Sequence, residues 1–256
     1  MTNLEKEISE ISTLRESKGR EQETLEKISE LLPNAIEAEE WKSVAKLYWE
    51  SHLVWQHTAM TEMSKPKQDQ DKKIIKQGSE KMLEFAEKAK DVIESHDIED
   101  MAGGAYRFLG RSATFSGDHA KAKEYYETAL SKYLGKNLKS KLEVSGFLAD
   151  SIIRLGQPEI GLSLAIKTYD DFYNSELGQD LKKEDYFTWA VWMSGIAPRI
   201  GAALLDTNAD FDRAQLVSWL NQAKSELENP TGTVTWGDKD FEFRINELNS
   251  ILERIT

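Results

Sequence analysis

The sequence has no cysteine. That excludes a disulfide framework, a thiolate nucleophile, and any zinc or iron–sulfur site held by cysteine. Proline is scarce, at five residues, so long stretches carry no helix breaker. Histidine occurs only four times, as His52, His57, His96 and His119. His52 and His57 are five apart on one helical segment, off the i, i+4 spacing of a ligand pair, and none of the four has metal-ligand spacing. All four read as solvent-exposed or locally bonded. Phosphate-cradling and nucleophile-elbow motifs are also missing. Gly103-Gly104 has no strand before it and reads as a loop between helices. Glu and Asp are spread along the whole chain, which suits solvated helix faces better than a catalytic carboxylate pair. The expectation is a protein without catalytic residues, metal or cofactor.

Long hydrophobic runs are missing too. The most apolar stretch, 189–205, is 17 residues long and contains Pro198 and Arg199. A membrane span needs about 20 apolar residues, so a buried helix is expected instead, with Pro198 kinking it or ending its straight part. The first ten residues lack the basic start and apolar core of a signal peptide, and the default expectation is a cytoplasmic location. Acidic residues outnumber basic ones, 45 to 33, for a net charge of −12. Such a field repels nucleic-acid backbones and anionic membranes, so neither is expected as a partner.

What is present is helical periodicity. Leu4, Ile8, Ile11 and Leu14, then Leu25, Ile28, Leu31 and Leu32, form two apolar stripes separated by a polar stretch around Gly19. Two packed short helices fit this better than a coiled-coil arm, which needs sustained heptads. Pro33-Asn34 is expected to start a helix over about 35–63, and residues 65–71 read as a polar linker. Helices are then expected at about 71–95, over 105–134 as a pair around the turn at 116–118, and at about 139–155, 158–174, 184–206 and 211–228. Residues 173–185 read as a polar loop and 231–237 as an irregular one. Asp238 is expected to cap a last amphipathic helix with Phe241, Ile245, Leu248, Leu252 and Ile255 on one face.

One segment organises the rest. Residues 105–134 read as two amphipathic helices around Ser116-Gly117-Asp118. Tyr106, Leu109-Gly110 and Ala113 mark the first helix; Ala122, Tyr126 and Ala129-Leu130 mark the second. Small residues let the two backbones approach, and large ones fill the space around the contact. The segment resembles a tetratricopeptide repeat (TPR), whose pattern is aromatic, Leu-Gly, aromatic in one helix and Ala, aromatic, Ala in the next. Ala113 departs from the pattern, and so does the missing final proline. A second copy lies 39 residues on, with Gly156 matching Gly117, Leu148-Ala149 matching Leu109-Gly110, and Gly161 matching Ala122. Trp41, Val44-Ala45 and Tyr48 fit an upstream first helix, and Leu216, Leu220 and Ala223 fit a weaker later copy. The offset exceeds the roughly 34 residues of the plain repeat.

The resemblance implies an all-α, irregular, right-handed array of antiparallel helix pairs over 34–228. It is preceded by a helical segment over 1–33 and closed by a loop and capping helix over 229–256. It also implies non-catalytic binding of a protein or peptide, as an adaptor or regulator. In such arrays the first helices line the concave groove. The groove positions lie one and five residues after the first-helix aromatic. Here they are Lys42 and Lys46 after Trp41, and Arg107 and Arg111 after Tyr106. Four cations converging in a chain of net charge −12 suggest an acidic partner segment, with Trp49 as an apolar platform beside them. The alternative for the cations is four exposed side chains satisfied by neighbouring carboxylates. The alternative for Trp49 is buried packing. A different functional class, a helical sensor holding a small ligand or signalling peptide in an apolar pocket around Trp49, Trp55 and Trp192, also remains open.

Overall fold

The computed structural model describes residues 3–255. The fold is all-α, and among the described residues the sole β-type pairing is an isolated bridge between Trp236 and Lys239. The chain forms two compact units, residues 1–133 and 134–256.

The first unit holds α1 (Asn3–Arg15), α2 (Glu21–Glu37), α3 (Trp41–Met63), α4 (Lys72–Ser95), α5 (Ala102–Phe115) and α6 (His119–Lys132). α1 and α2 pack against α3 through Ile8, Ile11, Ile28, Ala35, Val44 and Leu47, which agrees with packed helices rather than a free arm. Arg15 and Glu16 are buried there, and the Arg15 guanidinium donates to Glu50 of α3 at 2.6 Å. From α3 onward each helix packs on the next in sequence: α3 on α4, α4 on α5, α5 on α6. The α3–α4 approach is close, because a Cβ on Gly78 would lie 2.8 Å from the Ala59 methyl. Between the two helices Glu62, itself buried, accepts from the Asp71 amide at 2.7 Å and from Lys65 at 2.7 Å. The amide hydrogen bond is the main reason its carboxyl titrates below the usual range.

The second unit holds α7 (Ser140–Arg154), α8 (Pro158–Asn174), α9 (Glu176–Glu184), α10 (Tyr186–Ser194), α11 (Ile196–Asp206), α12 (Arg213–Glu228) and α13 (Glu242–Ile255). One core spans it, with Phe172, Trp189, Met193, Ile196 and Ile200 fully buried. The Trp189 indole N–H donates to the Phe172 carbonyl at 2.9 Å, so its polar atom is satisfied inside that core. α13 lies on α11 and α12 and buries Leu248, Ile251 and Ile255.

The segment over 105–134 forms as its residues dictate. Gly117 takes φ +79°, a left-handed conformation that glycine adopts without a Cβ clash. Asp118 caps α6 by accepting from the Lys121 amide at 3.0 Å. Gly110 lies against the Tyr126 ring, and Ala122, Tyr126 and Ala129 are fully buried. The matching positions in the second unit behave alike. Gly156 also takes φ +79°, and Gly161 approaches the Ala149 carbonyl so closely that a Cβ would lie 2.7 Å from it.

Five expectations are corrected. Pro33 does not start a helix: it lies inside α2, exposed, one turn before the helix ends, and the break comes at 38–40. The Ser29 carbonyl that loses its donor belongs to an exposed residue, so water can replace the bond. The expected boundary at 33/34 therefore falls within a helix. Gly103-Gly104 is the first turn of α5, not a loop. The polar segment after Tyr173 contains α9, capped by Ser175, which accepts from the Gly178 amide at 3.1 Å, with Leu181 buried. The apolar helix over 184–206 is two helices. Pro198 supplies no N–H to the Ser194 carbonyl and crowds it, and α10 ends at Ser194. The last helix begins at Glu242, whose amide donates to Asp240 at 3.0 Å, so Asp238 is not its cap.

Candidate functional site

α3 and α5 meet along a seam of aromatic and small side chains. Trp49 of α3 lies 5.2 Å from Phe108 of α5, centroid to centroid. It also lies over Gly104, where a Cβ would be 2.7 Å from the indole Cη2. Gly104 is thus required for a close approach of ring to backbone. One turn further along α3, the His52 ring meets Phe108 edge-on at 4.7 Å, and its Nε2 lies 3.3 Å from the Ser112 hydroxyl of α5.

His52 is wholly buried and bonded to Ser112, so the exposed alternative expected for the histidines fails for it. Burial first, then the positive charges of Arg107 and Arg111, hold its pKa well below the usual value of 6.5. The ring is neutral at physiological pH. The geometry links the two: the Arg107 guanidinium lies 4.9 Å from the centroid of the same Phe108 ring that His52 meets edge-on.

The five predicted site residues therefore fall as follows. Arg107 and Arg111 are half-buried on α5, with their guanidiniums 4.9 Å from the Phe108 centroid and 5.3 Å from the Phe115 centroid respectively. Trp49 is half-buried in the seam, and its indole N–H is buried without an acceptor among the described residues. It serves packing as well as surface. Lys42 is exposed and pairs with Asp100, just ahead of α5, at 2.9 Å. That pair is 60% and 46% exposed, so it holds by about 1 kcal/mol at most. Lys46 is exposed between Lys42 and Trp49 on the same face of α3. The alternative of satisfied surface cations thus describes Lys42 in part. The other residues of the seam, His52, Phe108 and Ser112, follow from no motif-spacing rule. The signal for His52 was its position three residues after Trp49, which places both on one helical face.

Trp41, a candidate core residue, is half-buried and stacks on the exposed His96 ring at 3.9 Å. Trp55 is half-buried in the first unit and Trp192 in the second. Two cavities of the surface have other linings. One of about 410 Å³ lies beside Lys182, Lys183, Tyr186 and 231–233; the other is a shallow trough on α8. Among the described residues no group of three His, Asp or Glu side chains could hold a metal ion, and no helix is long and apolar enough to cross a membrane. No protein-family model matches the chain, and no match is found among the curated proteins.

Proposed function

We propose that this chain is a non-catalytic, TPR-like binding protein whose α3–α5 face holds an acidic segment of a protein or peptide partner. In this reading the helix pairs form an irregular right-handed array, and the protein works in the cytoplasm as an adaptor or regulator. The observation that carries it is the α3–α5 seam. Trp49 and His52 of α3 interlock with Gly104, Phe108 and Ser112 of α5. Lys42 and Lys46 therefore lie on a helix adjoining the one that carries Arg107 and Arg111. Support for the repeat comes from Gly117 and Gly156, which share φ +79° at equivalent places, and from the close helix contacts at Gly110 and Gly161.

The chemistry fits a carboxylate-rich partner. Arginine offers paired donors to a carboxylate, and lysine adds a mobile point charge. The Lys42–Asp100 pair is weak enough for an incoming carboxylate to displace. TPR modules that grip a terminal carboxylate also use asparagine in the groove, and none stands at the matching places here. An internal acidic segment is therefore the preferred ligand. A direct test is fluorescence anisotropy with a labelled Glu-rich peptide, its neutral Gln counterpart, and versions with free and amidated C-termini. Binding of the Glu peptide alone, indifferent to amidation, supports the reading. Equal binding of the Gln peptide contradicts it.

A further inference from the structure

The second unit carries a polar cleft of about 410 Å³ between α9, the start of α10, and the loop that follows α12. Its lining includes Lys182, Lys183, the carboxylate residue Glu184, Tyr186, Thr231 and Thr233. The loop is held in place. The Thr231 amide donates to the Tyr186 hydroxyl at 3.1 Å, and that hydroxyl donates in turn to the Glu226 carbonyl at 3.4 Å. Gly232 lies against the Tyr186 ring, where a Cβ would be 2.4 Å from Cγ, so any other residue would push the loop away. The cleft wall is thus formed before any ligand arrives, which lowers the ordering cost of binding.

The charges around the cleft do not cancel. Glu184 is matched by Lys139 at 2.5 Å, and Lys182, whose ammonium lies 4.1 Å from the Trp189 ring centroid, is matched by Glu226 at 3.8 Å. Lys183 is exposed and has no acidic partner among the described residues, and the Thr231 and Thr233 hydroxyls and the Gly232 and Thr233 amides have no acceptor there. The cleft lining thus combines one ammonium without an acidic partner with several hydroxyl and amide donors, the chemistry an anion site needs, in a protein whose net charge is −12. The volume exceeds what a bare inorganic anion fills and suits a small organic molecule.

We propose that this cleft binds a small organic oxyanion, a phosphate monoester or a carboxylate, with Lys183 as its counter-charge and the 231–233 loop as its donor wall. The site lies in a different unit from the α3–α5 face and does not depend on what that face binds.

The test is amide NMR on the full chain, titrated at constant ionic strength with inorganic phosphate, with a singly phosphorylated sugar and with a dicarboxylate, using chloride as control. Saturable shifts of the Gly232 and Thr233 amides are expected, larger affinity for the organic probes than for phosphate, and about tenfold weaker binding in Lys183→Gln. Response to the sugar phosphate alone assigns a phosphate ligand; response to the dicarboxylate alone assigns a carboxylate. Lys183 is exposed, so its replacement leaves the fold intact. No saturable shift with any probe, or shifts that Lys183→Gln leaves unchanged, would overturn the proposal.

Discussion

Gly104 of α5 seats the indole of Trp49 of α3: a Cβ at that glycine would lie 2.7 Å from Cη2 and 2.8 Å from Cζ2. This contact fixes how near the two helices come, and with it how near Lys46 comes to the arginines of α5. Gly104→Val should force the rigid ring aside, adding a β-branched residue to the first helical turn. Loss of about 1–3 kcal/mol is expected from overpacking, read by denaturant unfolding. Weakened binding of an acidic peptide should accompany it. A variant with wild-type stability and affinity would show that the seam tolerates separation.

The α5–α6 contact gives a second test. Gly110 lies under Tyr126, whose hydroxyl is 2.9 Å from Thr114 Oγ1. Gly110→Leu cannot be accommodated without displacing a fully buried tyrosine and should cost about 1–3 kcal/mol or more. An unchanged melting temperature would contradict the helix pairing.

Acid should loosen the seam through His52. Its pKa is depressed in the fold, chiefly by burial and then by Arg107 and Arg111. The unfolded chain therefore takes up a proton that the folded chain refuses. Full stability is present above the unfolded value of about 6.5 and falls as pH drops through the window below it, by up to about 1.4 kcal/mol per pH unit. His52→Leu should flatten that slope below about pH 6.5. Ser112 stays satisfied in the variant, since its hydroxyl already donates to the Phe108 carbonyl at 3.1 Å. Parallel slopes for the two proteins would remove His52 as the titrating group.

α13 covers α11 and α12. A Cβ on Gly201 of α11 would lie 2.7 Å from the Ile251 methyl, and Arg254 pairs with Asp206 at 2.7 Å. Deleting 238–256 uncovers Leu216, Leu220 and their neighbours, so aggregation or loss of cooperative unfolding is expected in light scattering and calorimetry. A monomeric, fully stable truncation would make α13 an appendage.

The parts of the fold legible from sequence were those set by one local rule. Gly117 and Gly156 end helices in the left-handed region, Asp118 caps α6, and the small residues Gly110, Ala122 and Ala129 mark a close contact. The missed parts depend on context. Pro33 is tolerated because the carbonyl it orphans belongs to Ser29, an exposed residue that water can reach, which spacing does not reveal. α9 is mostly polar, and only Ser175 followed by Leu177 and Leu181 signalled it. At the candidate site the i, i+4 basic pairs could be read from the chain. That Trp49 would be seated on Gly104, and His52 buried between the helices, could not, because both follow from the distance between α3 and α5.

Binding of an acidic segment at the α3–α5 face is measured by titrating the double variant Arg107→Ala, Arg111→Ala with the Glu-rich peptide across a salt series. Both side chains are half-buried at the seam edge, so circular dichroism must first show an intact fold. Wild-type affinity should weaken with salt, and the variant should show both a loss of at least about tenfold and a shallower salt dependence. Unchanged affinity and unchanged salt dependence in a folded variant would contradict binding at this face.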